Sequence, residues 1–361
     1  MTHEEYMKIA IDLAKNGAGF VNPNPLVGAV IVKNGRIIGR GWHRKYGELH
    51  AERNAFADCA EDCTGADMYV TLEPCCHYGK TPPCTKIIIE KKIKRVYIGS
   101  SDPNPKVSGN GVRILRKNGI EVIEGVLKEQ CDALNDIFFH YITTGKPFVT
   151  MKYAMTLDGK IACYTGLSKW ITGESARQHV QYERLRHMAI MVGIGTVITD
   201  NPMLNCRLEN GRNPVRIVCD TKLRTPFESN IVRTAKEIDT IIATCSDDTE
   251  KINQFEKSGC RVMRVEKSGE HIDLNDLMER VGAEKTDSIL LEGGGELNYS
   301  ALKAGIVNKV QAYVSPKIFG GEGAKTAVSG AGVETPDEAY RVRRTEIRRI
   351  GEDFLIEGWI K

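Results

Sequence analysis

His50-Ala51-Glu52, followed by Thr71-Leu72-Glu73-Pro74-Cys75-Cys76-His77-Tyr78-Gly79-Lys80-Thr81-Pro82-Pro83-Cys84, is the stretch around which the chain is organised. One histidine, two cysteines and a glutamate two residues after the histidine make the donor set of a catalytic zinc site. Three protein ligands, His50, Cys75 and Cys84, leave the fourth tetrahedral position to water, whose pKa the metal lowers towards neutrality. Glu52 is spaced to point past the metal, where it relays a proton between that water and a leaving group. Taken singly, His50 reads as a surface or satisfied core histidine, and Cys75 or Cys84 as a small buried hydrophobe. Cys76 is the rival ligand, but an adjacent residue at a helix start projects about 100° away from Cys75, so it stays out of the ligand set.

Length and composition bound the rest. At 361 residues the chain exceeds one ordinary core and predicts two domains. A formal charge of +3, from 50 basic and 47 acidic residues, offers no polybasic field for nucleic acid or an anionic membrane. Eleven cysteines, scattered and mostly in apolar segments, suit reduced thiols and one metal site in a cytoplasmic protein. Met1 to Lys15 carries His3, Glu4, Glu5 and Asp12 without a signal-like apolar run, and no segment reaches bilayer-spanning length.

In the first half, Glu4 to Lys15 has helical spacing, and Leu26–Lys33 and Arg36–Gly41 read as strands joined by the hairpin signal Asn34-Gly35. His50 opens a helix to about Ala60; Asp67–Leu72, Arg95–Gly99 and Ile120–Glu124 are strands. Pro83–Lys91, Gly111–Lys117 and Leu127 towards Tyr141 are helices. A hairpin followed by this alternation argues an α/β/α sandwich. Both metal-binding elements then lie at strand-to-helix turns, where helix N-termini favour thiolate. Asn24, between Pro23 and Pro25, either reads a pyrimidine edge or makes an Asx turn. Asp102 and Asn104, in the Ser101-Asp102-Pro103-Asn104-Pro105 loop, are further substrate candidates, and His77 and Lys80 lie in the loop before Cys84.

Nucleobase and nucleoside deaminases close the H-x-E…P-C signature as P-C-x-x-C, whereas eight residues separate Cys75 from Cys84 here. The string T-L-E-P-C-C-H-Y-G-K-T-P-P-C, with N-P-N-P-L-V-G-A-V upstream and S-D-P-N-P downstream, resembles the deaminase half of bifunctional riboflavin-biosynthesis deaminase/reductases. That resemblance implies that His77 and Lys80 help to hold the base and the ribose phosphate.

Thr143-Thr144-Gly145-Lys146-Pro147 breaks the pattern, which places a zinc-dependent deaminase domain at 1–145 and a second domain at 146–361. M-K-Y-A-M-T-L-D-G-K-I-A, S-K-W-I-T, V-G-I-G-T-V and L-L-E-G-G-G resemble, in that order, the pyrimidine reductase half of the same family, which implies a dihydrofolate-reductase-like α/β fold using NADPH. Leu291-Glu292-Gly293-Gly294-Gly295 runs from strand into helix, where bare glycines let N–H groups approach a pyrophosphate. Asn298 stands where the third glycine of G-x-G-x-x-G would be, so no Rossmann fingerprint is present. By resemblance, Ala154, Trp170, Thr196, Asp200, Gly293, Gly294, Gly295, Glu296, Leu297, Asn298, Tyr299 and Ser300 line the NADPH site. The same carry-over puts Ser168, Arg184, Leu204, Arg207 and Glu292 around the substrate, with Arg184 and Arg207 as phosphate clamps. Lys152 and Glu292 are the candidates for polarising or protonating a ring-opened sugar imine; Lys222 and Arg224 are those for the 2′-phosphate of the cofactor. Arg341 to Arg349 reads as a solvated strand pairing with Asp353–Ile360.

The expected function is deamination of 2,5-diamino-6-ribosylamino-4(3H)-pyrimidinone 5′-phosphate. Reduction of its ribosyl chain by NADPH then gives 5-amino-6-ribitylamino-uracil 5′-phosphate. The resemblance also implies a homo-oligomer. One rival is a deaminase of free nucleosides or tRNA with an inert second domain; another is a binding module with structural zinc, which would need a fourth protein ligand.

Overall fold

In the computed structural model, which describes residues 1–79, 81–104 and 107–360, the chain divides into two compact units, Met1–Gly145 and Lys146–Lys361. The expected contact of Lys80 lies outside the described residues.

Unit 1 runs α1 (His3–Lys15), β1 (Gly28–Lys33), β2 (Arg36–Trp42), α2 (Ala51–Asp58), β3 (Asp67–Leu72), α3 (Cys84–Glu90), β4 (Arg95–Ser100), α4 (Asn110–Lys117), β5 (Glu121–Glu124), α5 (Lys128–Leu134) and α6 (Asp136–Thr144). The sheet order is β2-β1-β3-β4-β5, antiparallel through the hairpin and parallel from β3 onward. The hairpin turns at Asn34 (φ 50°) and Gly35 (φ 74°), the left-handed pair that matches strand twist. Strand residues alternate between two cores. Ala29, Ile31, Met68, Val70, Val96 and Ile98 pack towards α2, α3 and α4. Val30, Val32, Tyr69 and Tyr97 face α1 and Cys131 of α5. This is the expected three-layer sandwich.

One helix differs from expectation. The run from Leu127 breaks at Asn135, because its side chain turns away to clasp Leu26, accepting from its N–H at 2.8 Å and donating to its carbonyl at 3.0 Å. The helix after His50 also stops earlier, at Asp58.

Unit 2 continues with β6 (Phe148–Thr156), α7 (Glu174–Arg186), β7 (Ala189–Gly193), α8 (Ile194–Asp200), β8 (Val215–Cys219), α9 (Asn230–Arg233), β9 (Thr240–Thr244), α10 (Thr249–Lys257), β10 (Arg261–Arg264), β11 (Lys267–Ser268), β12 (His271–Ile272), α11 (Leu274–Ala283), β13 (Ser288–Leu291), α12 (Gly295–Lys303), β14 (Val307–Ser315), β15 (Val342–Ile350) and β16 (Asp353–Ile360). Its main sheet is ordered β10-β9-β8-β7-β13-β6-β14-β16-β15, parallel up to β14 and antiparallel beyond. Consecutive residues again point to opposite faces. Met191, Ile217, Ala243 and Leu291 pack on α11 and α12, while Ile190, Val192, Val218 and Ile242 pack on α8, α9 and α10. The arginine-rich β15 pairs with β16 and is exposed along nearly all its length. None of the described helices is long and apolar enough to cross a membrane.

Candidate active sites

In unit 1 the carboxyl ends of the parallel strands deliver the metal ligands. His50 is the N-cap residue of α2, Cys75 follows β3, and Cys84 is the first residue of α3. His50 Nδ1 lies 3.5 Å from Cys75 Sγ and 3.6 Å from Cys84 Sγ, and the three donor atoms fall within 4.8 Å of one another. Zinc bonds of about 2.0 Å to nitrogen and 2.3 Å to sulfur give tetrahedral edges of roughly 3.5–3.8 Å, so the spacing fits the ion. Among the described residues this is the group of acidic, His and Cys side chains arranged to hold a metal. Among the described residues the group has three donors, the number that leaves one tetrahedral position to water. Cys76 is not in the cluster.

The Cys75 thiol is held down to about 4, first by its hydrogen bond with Cys84 and then by His50, while Cys84 is pushed up. The backbone N–H of Cys84, at the start of α3, donates to Cys75 Sγ at 3.3 Å. Glu52 is 3% exposed, and burial raises its carboxyl above the ordinary range, with the Cys75 charge adding to the effect.

The substrate candidates of this unit surround the cluster unevenly. Asn24 Nδ2 sits 3.2 Å from Nε2 of His43, whose ring meets that of His50 edge-on at 5.3 Å. His43 is 2% exposed and its Nδ1 is 3.1 Å from the Leu49 carbonyl. Sequence reasoning passed over His43, since a lone histidine after a strand carries no spacing signal. His77 has a buried Nδ1 without a hydrogen-bond partner. Asp102 is buried and its carboxyl is pushed up to about 6, chiefly by burial and then by the charges of Glu73 and Cys75, and it accepts from the Asn104 N–H at 2.8 Å.

In unit 2 a cavity of about 790 Å³ opens where two helices begin. Gly193 to Thr196 start α8, Gly294 to Leu297 start α12, and the lining includes Ser168, Thr196, Asp200, Gly294, Gly295, Glu296, Leu297, Ser300 and Arg224. Two helix N-termini on one cavity are a fit for a pyrophosphate. Ala154, Trp170, Gly293, Asn298 and Tyr299 do not reach this wall. Asn298 is fully buried and donates to the Ala327 carbonyl at 2.8 Å; the Tyr299 hydroxyl donates to Gly332. Trp170 is exposed, with the Arg177 guanidinium 4.7 Å above its ring. Lys222 is exposed and away from the lining that Arg224 joins. Thr221, Cys219 and Lys325 also line the cavity and gave no motif to find them by.

A buried cluster of charges sits just after β13. Glu292 takes a fork from Arg184, Nε at 2.8 Å and Nη2 at 3.0 Å, and Lys152 Nζ lies 3.5 Å away. Arg184 Nη1 donates to the Asn205 carbonyl at 2.9 Å. Arg184 was expected to clamp phosphate; here its fork holds a carboxylate and positions the loop that carries Leu204 and Arg207. Leu204 is buried, and Arg207 is exposed. Burial opposes the charge on Glu292, but Arg184 and Lys152 overcome it and hold the carboxyl down to about 2.

Comparison with known proteins agrees with this division. Residues 147–356 match the RibD C-terminal domain, and residues 1–100 match the cytidine and deoxycytidylate deaminase zinc-binding region. The chain is 57% identical to the riboflavin biosynthesis protein RibD of Actinobacillus pleuropneumoniae, over 99% of this chain and 95% of that one. The chain belongs to the RibD family. The RibD of Escherichia coli is 36% identical, over 99% of each chain. Among solved structures, Acinetobacter baumannii RibD superposes with a TM-score of 0.89 at 33% identity, over 99% of each chain. The deaminase/reductase of Thermotoga maritima gives 0.85 at 40% identity, again over 99% of each chain. As a RibD-family enzyme the chain is a bifunctional deaminase and reductase of riboflavin biosynthesis, with Zn²⁺ and NADPH as cofactors. The fold is accordingly cytidine-deaminase-like in its N-terminal part and dihydrofolate-reductase-like in its C-terminal part.

Proposed function

We propose that unit 1 deaminates 2,5-diamino-6-ribosylamino-4(3H)-pyrimidinone 5′-phosphate, and that unit 2 then reduces the ribosyl chain of the product to ribityl. The observation that carries this reading is the triad of His50, Cys75 and Cys84 with the buried Glu52 beside it. It is supported by the Thermotoga maritima relative, described as a diaminohydroxyphosphoribosylaminopyrimidine deaminase/5-amino-6-(5-phosphoribosylamino)uracil reductase.

His50, Cys75 and Cys84 would hold the zinc ion, which would supply an acidified water and a positive charge at the carbon under attack. Glu52, buried beside these ligands, is placed to hold the proton given up by the attacking water and to return it to the exocyclic amine, which leaves as ammonia. Its burial suits the task, because a carboxyl raised towards neutrality both accepts and returns a proton. Asn24, His43, His77, Asp102 and Asn104 surround the base and sugar.

NADPH supplies the hydride for the second step. The starts of α8 and α12 would hold its diphosphate through their free N–H groups. Lys152 gives the proton that opening and reduction of the sugar require. Glu292, ionised at any physiological pH, orients Lys152 and does not act as the acid; Arg184 fixes Glu292. Ser168 and Arg207 complete the substrate side. Arg224, on the cavity wall, holds the 2′-phosphate of the cofactor. The enzyme works in the cytoplasm, in keeping with eleven free cysteines, and as a homo-oligomer, in keeping with the family.

A paired assay tests the whole reading: ammonia release and NADPH oxidation are followed from the ribosylaminopyrimidine phosphate, with zinc content recorded. Ammonia appears first and NADPH loss depends on it. Ammonia without NADPH oxidation would remove the second half of the proposal. Light scattering of the purified protein tests the oligomer.

A further inference from the structure

Glu73, next to the metal-ligand loop, is a buried carboxylate with no Lys or Arg partner among the described residues, and neither step above uses it. It follows Leu72, the last residue of β3, just before Pro74 and Cys75, and its own N–H donates to the Ser100 carbonyl at the end of β4 at 2.9 Å. Two loops leave these neighbouring parallel strands. One carries Cys75 and the other carries Asp102 and Asn104 before entering α4.

The Glu73 side chain joins them. Oε2 accepts from the Gly109 N–H at 3.0 Å, and Oε1 accepts from the Val112 N–H at 3.2 Å. Gly109 is the N-cap of α4 and has no side chain to satisfy the first N–H groups, so Glu73 supplies from another strand the acceptor that a cap residue would have given. The helix N-terminal dipole compensates the buried charge. The packing is equally tight: a Cβ added to Gly111 would lie 2.3 Å from the Pro74 carbonyl oxygen and 3.0 Å from Glu73 Oε1. Asn104 in turn accepts, through its carbonyl, the N–H groups of Val107 and Ser108. Ser100, before Asp102, and Val107 and Ser108, bonded to Asn104, thus tie the described part of this loop to β3 and α4.

We propose that Glu73 is a positioning residue of the deaminase site, a clamp that holds the Asp102–Asn104 loop in register with the metal-ligand loop. The inference rests on the reading of Asp102 and Asn104 as substrate contacts. A clamp of this kind sets substrate binding more than the chemical step, because the three metal ligands and Glu52 are anchored independently on α2, α3 and the end of β3.

The test is Glu73→Gln in the full chain, with the reductase rate as control for folding. The amide keeps one acceptor and turns its NH₂ against a backbone N–H. Zinc stays at one per chain, deaminase kcat stays within about twofold, and KM for the ribosylaminopyrimidine phosphate rises about tenfold. Hydrogen exchange of the amides in 101–112 quickens about tenfold. Glu73→Asp, which keeps the carboxylate one methylene short, moves both readouts in the same direction by less, and serves if the glutamine variant folds poorly. Unchanged exchange overturns the clamp. Faster exchange with unchanged KM, or activity lost in proportion to zinc, overturns its role in substrate binding. Asp102→Asn is measured in parallel: if its KM is normal, the reading of that loop as a substrate contact has failed, and exchange in Glu73→Gln alone decides the clamp.

Discussion

The two units build their charged sites by opposite means. In unit 1, two of the three metal ligands come from one short segment, Cys75 to Cys84, and the third begins the helix that also carries Glu52. In unit 2 the ion cluster draws Lys152 from β6, Arg184 from α7 and Glu292 from the end of β13, residues far apart in the chain. A metal tolerates little error in ligand distance, so its donors concentrate on turns with fixed geometry. An ion cluster is fixed instead by mutual attraction in a buried place, and its members can come from any strand end that reaches it. The first site is therefore readable as one motif, whereas the members of the second lie in separate stretches that only the resemblance joins.

The sharpest way to break this contrast is Glu52→Gln. Deaminase kcat should fall by about 10³-fold or more while zinc stays at one per chain, because proton transfer is lost and the donor set is intact. Metal analysis and an ammonia assay on the same sample check it, with the reductase rate unaffected. Persistent ammonia release would remove Glu52 as the proton carrier.

Lys152→Met should lower reductase kcat by roughly 10²-fold and leave the dissociation constant of NADPH where it was. Normal turnover in that variant would mean that the proton comes from elsewhere. Glu292→Gln carries a second cost. With its carboxyl held near 2 in the fold against 4.5 as the ordinary value, Glu292 contributes on the order of 3 kcal/mol at neutral pH. The sign follows from a lowered pKa: this stability is present above pH 4.5 and is lost as the pH falls towards 2. Denaturant midpoints for wild type and Glu292→Gln should therefore differ at pH 7 and converge in acid. Curves that run parallel across that window would show that the fork with Arg184 adds no stability.

The smallest effect sharpens the cofactor side. Arg224→Ser should raise KM for NADPH about tenfold relative to NADH, and Lys222→Ser should change the ratio less than about twofold, since Arg224 lines the cavity and Lys222 does not. Equal effects would place the 2′-phosphate outside this wall.

Much of the fold was legible in the residues. The Asn34-Gly35 turn and the run Asp67–Leu72 carry their own local signals of turn chemistry and β-branched or aromatic content, and they form where the pattern places them. The break at Asn135 was not legible, because nothing near it in sequence says that its amide will clasp Leu26. The glycine-rich start of α12 was readable as an approach to phosphate, yet of the residues that the resemblance carried along with it, Asn298 is fully buried against the Ala327 carbonyl and the Tyr299 hydroxyl donates to the Gly332 carbonyl.

The sequence by itself determined the sandwich of unit 1, and it grouped His50 with Cys75 and Cys84 and broke the pattern near Gly145, since spacing, turn residues and periodicity are properties of neighbouring residues. Only the tertiary structure decided that Arg184 spends its fork on Glu292, that His43 stands between Asn24 and His50, and that Glu73 caps a helix belonging to another loop. These contacts join residues up to 108 positions apart. Their partners are selected by the burial that brings them together, where an unpaired charge or N–H costs too much to leave unmet.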